Sequence, residues 1–400
     1  MITIEGKKRT PMNKPNESVE LNESMYTSGA ATILAVAVFW TIISLTSWII
    51  KNLLIWLFDN SKSQPSQEST HNIIGLNSIP RLLVTFPSIS SNFILEKFRS
   101  TPQLLLVLMD AVATVEQCAC SLECWPIREA FGYWGVLTAI GLNSIRTCVF
   151  LTLDAYGSPC NPWYRYLIGQ VQPIWMVISW TAQLLSASIA LEICKYWWSW
   201  RVTIYHSDRY DIAVDMLNPQ NLVNYQPDLN VAVWIGFICE AFGAFVEFYL
   251  AILFLCALEN WNSQCTRTAI QTTSSSVANS EIPAGSQTSP NCDLSRKQFL
   301  ASFILRFLIN ITLVAYGLTW TGMYLNPANA FIQSWGLGTV SPIHHIIVYW
   351  LGPMFGVWLC VTAEKWTYEY TPKIIASISA QHHSPEVNNH NHGNGKCRSD

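Results

Sequence analysis

Asn161-Pro162-Trp163 and Asn326-Pro327-Ala328 each follow one apolar stretch of the chain and precede another. In a membrane, that placement suits a helix that begins part-way across. Asn caps an opening turn through its side-chain oxygen, and Pro at the next position has no amide hydrogen to leave unpaired. The segments concerned, 160–169 and 326–338, are too short and too interrupted to cross a bilayer. They fit re-entrant half-helices, because irregular backbone at that depth is tolerated only where protein or a water-filled cavity satisfies it. Two half-helices meeting tip to tip would aim two positive dipole ends and two Asn amides at one aqueous path. Asn218-Pro219 is a third such pair, but it lies in a hydrophilic loop and reads as an ordinary turn.

Outward from these two points, the chain is built of apolar blocks. Of 400 residues half are hydrophobic and 12% are charged, against about a quarter charged in a soluble domain. Seven stretches, 31–58, 102–122, 134–153, 173–197, 231–258, 299–318 and 343–362, have the length needed to cross the hydrocarbon as helices. The expected class is an all-α polytopic membrane protein. Trp48, Trp56, Trp134, Trp197, Trp198, Trp200, Trp350 and Trp366 fall near stretch ends, where indole rings anchor at the membrane surface. A net charge of −3 carries no argument for a nucleic-acid partner. Most of the 12 cysteines lie in or beside apolar stretches, and Cys118, Cys120 and Cys124 read as packing rather than as a metal site. The polar opening residues do not form a cleavable signal, so the first stretch is expected to be an uncleaved anchor.

The expected organisation is a polar tail over 1–28, an extra transmembrane helix over 29–58, and a connecting segment over 59–101. A channel-like domain follows over 102–365, and a polar tail over 366–400. Residues 266–290, rich in Ser, Thr and Gln, read as a disordered loop. The His-rich end, with His382, His383, His390 and His392, reads as solvated sequence.

Without the first stretch, the other six divide into two sets of three, over 102–198 and 231–365. Asp110 lies early in the first set, 51 residues before Asn161; Glu240 lies early in the second, 86 residues before Asn326. The polar 266–290 loop accounts for most of the difference. Three helices with a half-helix before the third, occurring twice, place the copies in opposite orientations. Inverted repeats bring broken helices together at the midplane, where solute is handled.

At these residues the chain resembles the aquaporins, in particular the divergent intracellular branch called unorthodox aquaporins or superaquaporins. Ala113-Thr114, Cys118-Ala119-Cys120 and Glu123 look like the cysteine-rich end of that branch's first core helix. Gly157-Ser158-Pro159-Cys160-Asn161-Pro162 stands where the branch has an altered first signature motif, followed by Ala182-Gln183-Leu184-Leu185. Thr321-Gly322-Met323-Tyr324-Leu325-Asn326-Pro327-Ala328 is similar to the second motif, and Val348-Tyr349-Trp350-Leu351-Gly352-Pro353 to the start of the last helix. The resemblance runs from about Pro102 to Thr362 and includes the extra leading span. Three positions depart from the pattern: Trp163 replaces a small residue, Asn329 stands where water-selective members have an Arg, and Leu337 stands where the branch has a Cys.

The resemblance implies a bundle of six transmembrane helices and two half-helices that passes water, with glycerol or hydrogen peroxide as further permeants once the Arg is lost. It implies a homotetramer in the endoplasmic reticulum or another intracellular membrane, with the plasma membrane also open, and no cofactor. Asn161, Pro162, Trp163, Asn326, Pro327 and Ala328 form the pore signature in this reading, and Met323, Asn329 and Val314 line the constriction. Trp163 either narrows the entrance or anchors at the interface. In the family, acids at the positions of Asp110 and Glu240 accept hydrogen bonds from the loops carrying the half-helices. The competing expectation is a proton- or ion-coupled transporter in which these intramembrane acids titrate. No Ser/His/Asp set or intramembrane His cluster suggests an enzyme. A cytosolic C-terminus with seven crossings would put the N-terminus, with sequons at Asn16 and Asn22, on the glycosylated side.

Overall fold

The structure is a computed structural model. It describes residues 17–62, 102–153, 155–215, 217, 219–222, 227–252, 304–305 and 307–382, of which 17–27, 60–62, 219, 222 and 368–382 are described as backbone only. The 266–290 loop, most of the 59–101 connection, and the sequon at Asn16 lie outside the described residues. Among those described, the secondary structure is helical without a strand.

Helix α1 runs unbroken over Glu17–Lys62, beyond both ends of the apolar 29–58 stretch. Helix α2 spans Gln103–Leu122 and α3 spans Cys124–Val149. The short α4 (Cys160–Leu167) leads to α5 (Pro173–Ser199) and then to α6 (Ile204–Asp215). Helices α7 (Val233–Ile252) and α8 (Phe307–Gly317) precede the short α9 (Pro327–Ser334). The last helix, α10, starts at Pro342–Ile346, passes through a π-helical turn at Ile347–Leu351 and continues as Gly352–His382.

Among the described residues, five helices are long and apolar enough to cross a membrane: Ser28–Asp59, Gln103–Leu122, Pro173–Ser199, Val233–Ile252 and Pro342–Thr367. These correspond to five of the seven expected crossings. Of the other two, one is bent and the other lies partly outside the described residues. Helix α3 is bent at Gly132, whose φ is 67°, and carries Arg128, Glu129, Asn143 and Arg146 along its length. The described part of the other, Phe307–Gly317, is a short apolar helix.

By internal contacts the chain divides into two units, Met1–Cys360 and Val361–Asp400. The leading helix therefore belongs with the bundle. Within the first unit α2 packs along α5, and α1 packs on both α2 and α3. Small residues set the spacing: Cys118 and Ala119 of α2 meet Ala187, Ala190 and Cys194 of α5 in one apolar cluster that also takes in Phe39 of α1 and Ala328 of α9. At Gly356 of α10 a Cβ would lie 2.1 Å from the Ala241 carbonyl oxygen of α7, and Gly352 faces Phe237 and Glu240. Close helix approach through small residues is the usual means of association in lipid, where hydrophobicity offers no preference between helix and solvent.

Candidate functional site: two abutting half-helices

Both Asn-Pro segments form short helices, each eight residues long. Their first turns touch. The Asn326 Nδ2 donates to the Gly157 carbonyl at 2.9 Å, and the Cys160 thiol lies 3.7 Å from the Leu325 carbonyl. The two Asn-Pro segments, 165 residues apart by position, thus share one place in the first unit.

Their openings are built differently. Asn326 caps α9 as its residue types predict: its side-chain oxygen accepts from the Ala328 and Asn329 amides, and Pro327 occupies the first helical position. Asn161 does not cap α4. That helix already begins at Cys160, because Pro159 is in the right-handed helical region and Ser158 Oγ accepts from the Cys160 amide at 3.3 Å. Ser158 therefore does the capping expected of Asn161. The Asn161 side chain is released from that duty, and its Nδ2 is buried with no hydrogen-bond partner among the described residues.

The loops entering the half-helices are held by the two acids, again in different ways. Glu240 is fully buried and accepts from Thr321 Oγ1 at 2.6 Å, from the Leu325 amide at 2.9 Å and from the Tyr324 amide at 3.2 Å. The loop it holds contains Met323 and Leu325 at φ of 50° and 53°. Such left-handed conformations of bulky residues persist only where surrounding contacts over-determine them. Tyr349 adds a bond from its hydroxyl to the Thr321 carbonyl at 2.9 Å. Asp110 instead takes a side chain of α4 itself, Arg165, at 3.1 Å, and Ser179 of α5 at 3.2 Å. The backbone at this end is fixed by close packing: Gly157, at φ 68°, faces the Ala113 carbonyl of α2, where a Cβ would sit 2.5 Å away. Trp180 Nε1 also donates to the Pro159 carbonyl at 2.9 Å.

The residues expected at the constriction separate. Asn329 lies one turn into α9 in a polar string: its amide donates to Ser121 Oγ at 2.9 Å and its oxygen accepts from Gln333 at 2.8 Å. Tyr324 reaches Asp228 and Gln333 next to it. Met323 and Val314, however, are packing residues. The Met323 side chain fills the space left by Gly243 and Gly317 in an apolar cluster with Cys239, Ile309 and Leu313. Val314 is buried with Val36, Val136 and Leu137, between α8, α1 and α3. Trp163 neither lies free at an interface nor faces the tips alone: its Nε1 donates to the Met354 carbonyl at 2.9 Å and its ring stacks on Tyr166. It braces α4 against α10. Its ring also lines an apolar cavity of about 780 Å³ with Trp180, Trp350 and Trp358.

Two buried polar assemblies were not anticipated. In one, Glu116 of α2 accepts from Ser47 and Lys51 of α1, at 2.6 and 2.7 Å, and from Arg146 of α3, which also donates to Ser44 at 2.9 Å. In the other, Glu123 accepts from Trp198 Nε1 and pairs with His206 at 3.2 Å, while the other ring nitrogen of His206 shares a hydrogen bond with Thr203 at 2.6 Å. The first had a legible signal: Ser44, Ser47 and Lys51 share a helical face within an apolar stretch, and ionisable groups inside a span mark an interior face.

The sequence matches no protein-family model, and none of the curated proteins compared with it matches either.

Proposed function

We propose that the chain is a passive membrane channel for water and small neutral solutes such as glycerol or hydrogen peroxide. The observation that carries this reading is the junction of the half-helices, at which a buried Asn161 amide is left with unused donors beside two helix N-termini. A neutral solute can turn an oxygen toward such donors, while a cation meets two positive dipole ends. Asn161, Asn326 and Asn329 are the solute-facing residues in this proposal, with Pro162, Pro327 and Ala328 shaping the two opening turns. Met323 and Val314 are left out of it. The working protein would reside in an intracellular membrane such as the endoplasmic reticulum, or at the cell surface, as a homotetramer in the lipid bilayer, without cofactor.

The hydrogen bonding of the acids supports a channel over a coupled transporter. Glu240 has three donors on its carboxylate and Asp110 has an ion-pair partner, so protonating either would break contacts that hold the half-helices. The deciding experiment is an osmotic step on proteoliposomes, with water, glycerol and hydrogen peroxide compared side by side. Shrinkage faster than in protein-free vesicles, lost in Asn326→Asp and without accompanying current, is the expected result. Permeability equal to that of empty vesicles for all three solutes would refute the channel. Uptake driven by a pH gradient and abolished in Asp110→Asn would favour the transporter instead.

A further inference from the structure

Arg209 of α6 is 9% exposed, and no hydrogen bond joins its guanidinium to any described residue. Its Nε is fully buried without a partner. What holds it are two indoles: the guanidinium lies 5.0 Å from the Trp125 ring centre and 5.1 Å from that of Trp198. Such cation–π contacts attract the charge without supplying acceptors to its N–H donors. Burial pulls its pKa down, with Tyr324 among the groups that oppose the shift, yet a guanidinium remains charged at neutral pH. Asp228, Glu123 and Glu129 act on it through charge, but none of them is ion-paired with it among the described residues. Glu123 is taken by Trp198 and His206, and Glu192 is paired with Lys195 at 2.7 Å. A buried charge with idle donors is costly unless something completes its shell.

Arg209 lines a cavity of about 840 Å³ bounded by α5, α6 and α9. The α5 side of that cavity carries Ile189 and Tyr196, which are 54% and 67% exposed on the outer face of a membrane-length helix. Trp198, at the cationic end, is the second residue from the end of that helix. The groove therefore combines an apolar wall along a membrane-length helix with a buried cation near the end of that helix.

We infer that this groove binds one anionic phospholipid, its phosphate on the Arg209 guanidinium and an acyl chain along the Ile189 side of α5. Phosphate oxygens accept from a guanidinium fork, to which the two indoles supply no acceptor. The cavity shares α9 with the proposed pore, through Gln333, but its readout is lipid binding and does not depend on whether the bundle conducts.

The test uses the full chain, delipidated in neutral detergent and titrated with phosphatidylglycerol, phosphatidylcholine or inorganic phosphate. Bound lipid is counted by native mass spectrometry. Wild type should hold one phosphatidylglycerol about tenfold more tightly than Arg209→Gln, the scale of one charge-assisted contact. Phosphatidylcholine should bind more weakly, and inorganic phosphate should not compete. Ser188→Trp, which crowds the apolar wall and leaves the guanidinium in place, should lose the lipid too; this arm decides the matter if Arg209→Gln does not fold. Equal retention by wild type and both variants would overturn the site. Competition by inorganic phosphate would make it a soluble-anion site and overturn the lipid assignment.

Discussion

At the scale of single residues, two carboxylates of equal standing in the sequence turn out to do different work. Glu240 organises backbone, and its three donors come from a loop with two bulky residues in left-handed conformations. Replacing it with Gln keeps the size but sets an amide N–H against at least one of those donors. Glu240→Gln should therefore lower unfolding stability in detergent by about 2 kcal/mol, the scale of hydrogen bonds to a charged acceptor. A variant that melts with the wild type would show that the loop holds itself. The Asn326 cap was legible because Asn followed by Pro fits only one opening of a helix. Asn161 misled because Ser158 and Pro159, three and two residues earlier, compete for the same start and begin the helix sooner. Arg209 was not legible at all: its partners Trp125 and Trp198 are brought to it by tertiary packing, and no spacing in the chain announces such a contact.

At the scale of elements, the interrupted segments 160–169 and 326–338 were legible as short, and the structure forms helices over Cys160–Leu167 and Pro327–Ser334 within them. The bend in α3 was not legible. Gly132 sits in a stretch whose composition is compatible with a straight helix, and its φ of 67° shows only in three dimensions. The tie between α1, α2 and α3 makes a sharper prediction. Glu116 stands between two cations, so Glu116→Gln leaves Lys51 and Arg146 buried with no carboxylate between them. Stranding buried charge costs about 3–5 kcal/mol. Lys51→Met should cost less, because Glu116 keeps Arg146. Unfolding titrations of the two single variants and the double variant would test this ranking, and the reverse ranking would contradict it.

At the scale of the whole molecule, the leading helix is a structural member of the bundle and not an appended anchor. Its Val36 and Phe39 are buried in two separate apolar clusters, and Trp40 donates to the Cys120 carbonyl of α2 at 3.0 Å. A chain that starts at residue 100 should consequently fail to purify as a single species by size exclusion. One that elutes and melts like the full protein would reduce α1 to an accessory. The helical, membrane-length character of the chain was readable from its apolar stretches, whereas the docking of α1 depended on a polar face that an apolar average conceals.

The Lys51–Glu116 pair also bears on how the protein is made. Its members are 65 positions apart, and Arg146 emerges 30 positions later still. While the chain is being synthesised, an ammonium has entered lipid before its counter-ion exists, a burden of about 3 kcal/mol for a lysine at the centre of a span. The insertion machinery must then shelter the first helix, or let it slide toward the headgroups, until the third has arrived.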